Sequence, residues 1–167
     1  MTDFSIDVDA KAVIAKYGEA AMKKATEQAL ADTMQYTADL VKEKITSGGH
    51  VETGFLRASV TFKRTSNEQG EVFAKHGSGV YYVKFVEHGT GIYGPTKQPI
   101  KPKSAKRLAW HPRSETGKPL SSKGKIVRRT VKGQKPVKMF HRTFTEDKAK
   151  IEDRFNKKFH SALSHSQ

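Results

Sequence analysis

The chain has 167 residues, 35% of them apolar, enough to enclose one modest core, and it has no cysteine, which excludes disulfides, thiolate zinc sites and thiol nucleophiles together. No run approaches the length of a membrane-spanning helix and the start, MTDFSIDVDA, is acidic and alternating, so neither a signal nor a transit peptide is read and aqueous, cytoplasmic surroundings are expected. A formal charge of +14 points to polyanionic partners, and its distribution sharpens this: residues 97–138 hold fourteen Lys and Arg against one acid, Glu115, while the remainder is close to neutral.

In chain order, Phe4, Ile6 and Val8 alternate with polar residues and predict a short half-buried strand, after which Asp9 is placed to cap a helix. Ala10 to Ile45 is rich in Ala, Lys, Glu and Met, and Leu30, Met34, Thr37, Val41 and Ile45 recur at helical spacing. One long amphipathic helix follows from this, with Gly18 as its break or bend and the glycines of TSGGH (46–50) as its end. Leu56–Arg64 is β-rich, SNEQG is a turn and EVFAKHG is a second strand, together a hairpin.

The run VYYVKFVEHG (80–89) supports period two through Tyr81, Val83 and Phe85, and a helical turn through Tyr82, Phe85 and Val86; a strand beginning near Val80 is the favoured reading. Glycine and proline then become frequent, and the apolar pieces RLAWHP and KIVRRTV can pair as an irregular two-stranded arm. Phe140, Phe144, Ile151, Phe155 and Phe159 or Leu163 form one stripe, predicting a C-terminal helix from about Val137 to Leu163. The expected fold class is α+β: a long N-terminal helix and a C-terminal helix packed on an antiparallel β-sheet, with a projecting basic β-arm. A single domain over 1–167 is expected, divided into a helix-and-sheet core (1–96), the arm (97–138) and the last helix (139–167).

The most chemically varied stretch is FVEHGTGIYGP (85–95). It lacks the terminal Gly-Lys-Ser/Thr of a phosphate loop and the spaced glycines of a dinucleotide fold. On a strand, Glu87 and His88 would face opposite sides and could not share one proton. Glu87 is therefore expected to be structural, accepting from backbone N–H groups or pairing with a basic group such as Arg57. The seven histidines show no helical i, i+4 pair, no serine sits in a nucleophile elbow, and the acids are dispersed, so no metal, cofactor or catalytic activity is expected.

The cations of the arm are Lys97, Lys101, Lys103, Lys106, Arg107, Arg113, Lys118, Lys123, Lys125, Arg128, Arg129, Lys132, Lys135 and Lys138. They suit contact with phosphate through counterion release, or docking on acidic surfaces of neighbouring subunits; a merely solvated basic loop is the third reading. Tyr93, Trp110 and Phe140 bracket or interrupt them, as anchors to a core or a partner, or as stacking platforms for bases.

Three pieces in order, ETGFLRASV (52–60), YYVKFVEHGTGIYGP (81–95) and KPVKMFHRTFTEDKAKI (135–151), resemble a family of small tail-completion or neck proteins of long-tailed bacteriophages. The first is similar to the family's Thr-Gly-x-Leu-Arg-x-Ser signature, the second to its Tyr-Val-Glu-x-Gly-Thr segment, the third to its closing stretch. This chain departs in having Met139 and Thr143 where prolines are usual, and in the length of the basic insert. The residues that carry the resemblance are Thr53, Gly54, Leu56, Arg57 and Ser59, then Tyr82, Val86, Glu87, Gly89, Thr90 and Gly91, then Phe140.

The resemblance implies a non-catalytic structural protein of the virion, made in the host cytoplasm. It would join head to tail as a ring of copies of itself, six being the expected number, around the DNA exit channel. Its neighbours would be a head-side connector or head-closure protein and a tail terminator or tail-tube protein, with double-stranded DNA as a further partner of the arm. The alternatives are a tail terminator capping the tail tube, and a DNA-binding protein without sequence specificity.

Overall fold

The computed structural model describes residues 5–48, 54–75, 82–111 and 124–165. The elements are α1 (Ala10–Tyr17), α2 (Glu19–Ser47), α3 (Phe55–Ser59), β1 (Val60–Arg64), β2 (Gly70–Ala74), α4 (Tyr82–His88), a 3-10 turn (Gly91–Tyr93), β3 (Leu108–Trp110), β4 (Ile126–Arg128), α5 (Met139–Glu146) and α6 (Lys148–Ser164). The fold is α+β, with one long N-terminal helix, C-terminal helices and two separate two-stranded antiparallel sheets in place of one larger sheet. The chain divides into two compact units, the first built from residues 1–42, 60–75 and 141–167 and the second from 43–59 and 76–140.

In the first unit, the Asp9 carboxylate accepts the Ala12 N–H at 3.2 Å, satisfying one of the free donors that begin every helix. Gly18 ends α1 at φ 82°, a conformation that costs residues with a Cβ, and its N–H donates to Ile14 O. The long helix is thus broken where the sequence placed the break. The core is a cluster of Ala25 and Ala29 from α2 with Phe155, Phe159 and Leu163 from α6. Alanines at these two positions leave room for the aromatic side chains, and Phe155 and Phe159 stack at 5.8 Å between ring centroids.

Residues 5–9 form no strand, contrary to the alternating pattern. Ile6 and Val8 instead pack on the core cluster as extended chain, because the alternation reports only which side chains face inward and no neighbouring backbone completes a ladder. Phe4 lies outside the described residues. The β1–β2 hairpin has the expected turn, with Val60 opposite Ala74 and Arg64 opposite Gly70. Gly70 lies under Met34 of α2, where a Cβ would overlap the thioether.

The expected single C-terminal helix is α5 and α6, interrupted at Asp147 (φ −106°, ψ 11°). Backbone bonds from Asp147 N–H to Thr143 O and from Ile151 N–H to Asp147 O span the interruption, so it is a local distortion of one helical path. The Asp147 side chain is buried there, 2.7 Å from Lys150 Nζ. Burial in α5 falls on Met139 and Thr143, both fully buried, while Phe140 and Phe144 are half-buried; the predicted stripe holds from Ile151 onward. Met139 and Thr143, which stand where the pattern the chain resembles has prolines, both supply core.

On α2 and α6, Asp32 accepts from Arg154 through both oxygens and is 3.3 Å from Lys158, and the Arg154 guanidinium lies over the Tyr36 ring. The Arg154 hydrogen bond holds the Asp32 carboxyl below its ordinary value, against the opposing effect of burial. A carboxyl depressed in the folded state stabilises fully above its unfolded pKa, about 3.9, and that contribution disappears as pH falls through the folded value. Asp32→Asn is therefore expected to lower stability slightly at neutral pH, with the gap to wild type closing in strong acid; a gap independent of pH in urea titrations would contradict the assignment.

The second unit buries Ile45 at the end of α2, Leu56 of α3, Val86 of α4, and Val137 and Met139. Two predicted strands are corrected here. The strand read from Leu56 begins only at Val60, because Phe55–Ser59 closes a helical turn in which Ala58 N–H donates to Gly54 O and Ser59 Oγ donates to Leu56 O. The strand read from Val80 is helix α4 over its described part: Val86 is 6% exposed and Phe85 is 48% exposed, the reverse of what period two through Phe85 requires.

Candidate functional site

Gly89 (φ 76°), Gly91 (φ 63°) and Gly133 (φ 94°) bring two stretches of backbone, 89–94 and 132–136, into direct contact. A Cβ on Gly91 would overlap the carbonyl of Lys132, one on Gly133 would overlap the carbonyl of Thr90, and one on Gly89 would sit 2.9 Å from Gln134 O and from Pro136 Cδ. The approach is fixed by Thr90 N–H donating to Gln134 O (2.9 Å), Ile92 N–H to Lys132 O (2.8 Å), and Gln134 N–H to Thr90 Oγ1 (2.8 Å). Just before this crossing Val137 N–H donates to Val86 O, and Glu87 Oε2 accepts the Phe140 N–H at 3.0 Å. These contacts form a clasp that holds the outgoing and returning ends of the basic segment together.

Glu87 thus accepts a backbone N–H, one of the two roles expected for it. It does so in the first turn of α5, where a carboxylate also faces the positive end of the helix dipole. Glu87→Ala is expected to cost about 1–2 kcal/mol by leaving that donor without its acceptor, and Glu87→Gln less, since an amide oxygen still accepts. Thermal or urea unfolding checks the order; equal stability of Glu87→Ala and wild type would contradict it.

Beyond the clasp, Ile100 and Val131 exchange both backbone hydrogen bonds, and β3 pairs with β4 in the register Leu108–Arg128, Ala109–Val127, Trp110–Ile126. The paired residues come from the two apolar pieces that the sequence offered for pairing. Between the bridge and the ladder the two strands are unequal: residues 101–107 on the outgoing side face only Arg129 and Thr130 on the returning side. The outgoing chain therefore bulges, and Lys101, Lys103, Lys106 and Arg107 all lie exposed on the bulge.

Of the other arm cations, Lys97, Lys125, Arg128, Arg129, Lys132, Lys135 and Lys138 are exposed, and Lys135 Nζ lies over the Tyr93 ring. Arg113, Lys118 and Lys123 lie outside the described residues, as does Thr53. Gly54 (φ 69°) opens α3, Arg57 is exposed on it, Leu56 is buried and Tyr82 opens α4. Sequence reasoning missed Gly133 and Pro136, the far side of the clasp, and the Asp32–Arg154 pair. A glycine between lysines, KGQKP, looks like any turn, and only the α2 and α6 faces brought into contact reveal the ion pair.

A shallow depression lined by Gln28, Asp32, Lys158, Ser161, Ala162 and His165 has its carboxylate already engaged by Arg154 and Lys158. Among the described residues no three His, Asp or Glu side chains gather in a way that could hold a metal ion, and no helix is long and apolar enough to cross a membrane. The chain's distinctive surface is the clasped cationic segment.

No curated protein and no solved structure matches the chain significantly. Residues 9–89, from the cap of α1 to the first glycine of the clasp, match the family model described as "Bacteriophage HK97-gp10, putative tail-component". Over these residues, just under half of its length, the chain is similar to the HK97-gp10-like tail components of bacteriophages.

Proposed function

We propose that this chain is a structural subunit of the phage neck, completing the tail and joining it to the head, with copies of itself closed into a ring around the path of the DNA. The match of residues 9–89 to the tail-component family carries the reading. Its neighbours on the two faces of the ring are the head-side connector or head-closure protein and the tail terminator or tail-tube protein. A head-to-tail contact repeated around a rotation axis closes such a ring, and it buries on each copy an apolar surface that the single subunit leaves in water. Phe85, 48% exposed on α4, is available for such a contact.

Phe85→Ser is expected to weaken self-association about tenfold or more, as removal of an aromatic anchor does, while the unfolding midpoint of the monomer moves little. Sedimentation velocity across a concentration series reads the first and thermal unfolding the second. A reconstruction of the particle at side-chain resolution places the subunit directly; density at the end of the tail tube, and none at the neck, would replace this reading with that of a tail terminator.

A further inference from the structure

Outside the basic segment, nine of the seventeen Lys and Arg, namely Lys42, Lys63, Arg64, Arg142, Lys148, Lys150, Arg154, Lys157 and Lys158, have a carboxylate within ion-pair distance. Within residues 97–138, no described Lys or Arg forms an ion pair with another described residue, and the segment's single acid, Glu115, can neutralise one of them at most. Six of these cations are concentrated by the strand mismatch: Lys101, Lys103, Lys106 and Arg107 on the bulge, with Arg128 and Arg129 on the facing strand.

Like charges gathered on so short a segment repel, and the clasp prevents the two strands from relaxing apart at their root. A dense external polyanion would relieve that repulsion. A second copy of the chain is a poorer candidate, because it carries a net charge of +14 and eight of its seventeen carboxylates, Glu27, Asp32, Asp39, Glu71, Glu146, Asp147, Glu152 and Asp153, already have cations of their own unit. Duplex nucleic acid presents one negative charge per about 1.7 Å of its axis, with no need for matched side chains.

We propose that the bulge at residues 101–107, with Arg128 and Arg129 opposite, binds the phosphate backbone of duplex DNA without reading its sequence. The contacts are charge to phosphate, so binding is reversible and strongly dependent on salt. The inference rests on the charge and pairing pattern, independently of the subunit's place in the particle.

The test is fluorescence anisotropy of a labelled random-sequence duplex against the full-length protein over a salt series. Replacing Lys101, Lys103, Lys106 and Arg107 together by Gln is expected to reduce the slope of log K against log salt by about 3 to 4. A control replacing the exposed Lys11, Lys23, Lys24 and Lys75 by Gln removes the same charge and should leave the slope nearly unchanged. Circular dichroism and sedimentation of each variant show that fold and self-association are retained, which separates failure of this inference from failure of the ring. Equal losses in the two variants, no binding of wild type to duplex at low salt, or equal competition by polyglutamate, the mark of an acidic protein partner, would each overturn it.

Discussion

Gly91→Ala and Gly133→Ala are each expected to destabilise the protein by about 3–4 kcal/mol, far more than an ordinary surface glycine substitution. Both positions have positive φ, which costs a residue with a Cβ about 1–2 kcal/mol. At both, the new Cβ meets a backbone carbonyl, which cannot turn aside as a side chain can. Relief requires the two strands to separate, with the loss of the Thr90–Gln134 and Ile92–Lys132 hydrogen bonds at about 1 kcal/mol each.

Two controls divide this cost. Gly18 also has positive φ but nothing within 4 Å of its Cβ position, so Gly18→Ala should show the conformational cost alone, about 1–3 kcal/mol. Gly124 has neither feature, and Gly124→Ala should be nearly neutral. Urea unfolding measures the series, and hydrogen exchange at the Ile92 and Thr90 amides reads the clasp locally. If Gly91→Ala is no worse than Gly18→Ala, the close crossing of the backbones is wrong.

Phe159→Ala is expected to cost about 3–5 kcal/mol, the usual range for removing a fully buried aromatic side chain. Phe159 is 1% exposed, stacked on Phe155, in the cluster that includes Ala25 and Ala29. The alanines opposite cannot extend to fill the space, so most of the cavity should persist. Phe159→Leu, which keeps most of the volume, should cost about 1.5 kcal/mol or less. The reverse fault is also testable: Ala29→Leu forces new atoms into a site with no exposure and should cost about 1–3 kcal/mol. Chemical denaturation of the three variants checks the order, and a tolerated Ala29→Leu would show that α2 and α6 are less closely packed than described.

The parts of the fold legible in the sequence are those set by neighbours a few residues away. Asp9 caps α1 because its carboxylate reaches an N–H three residues on. Gly18 breaks the helix by its own conformation, and the α6 stripe Ile151, Phe155, Phe159 and Leu163 follows from helical geometry alone. The candidate site was half legible: the excess of cations is visible in composition, and the pairing of β3 with β4 in its apolar pieces. The misreadings share a cause, since Phe85 and Val86 satisfy both periodicities and Ile6 and Val8 alternate without a partner strand; each pattern gives a facing direction and leaves the backbone's partner open.

The sequence by itself determined the long broken helix, the hairpin, the last helical stripe and the segregation of positive charge, because local geometry and composition suffice for each. Only the tertiary structure decided that 82–88 is helix, that Glu87 meets the start of α5, that Gly91 and Gly133 cross, and that the arm's described cations lack ion-pair partners among the described residues. These depend on groups far apart along the chain, 44 residues for Thr90 and Gln134 and 53 for Glu87 and Phe140. No periodicity connects such groups; they meet only when the intervening basic segment leaves and returns through one point.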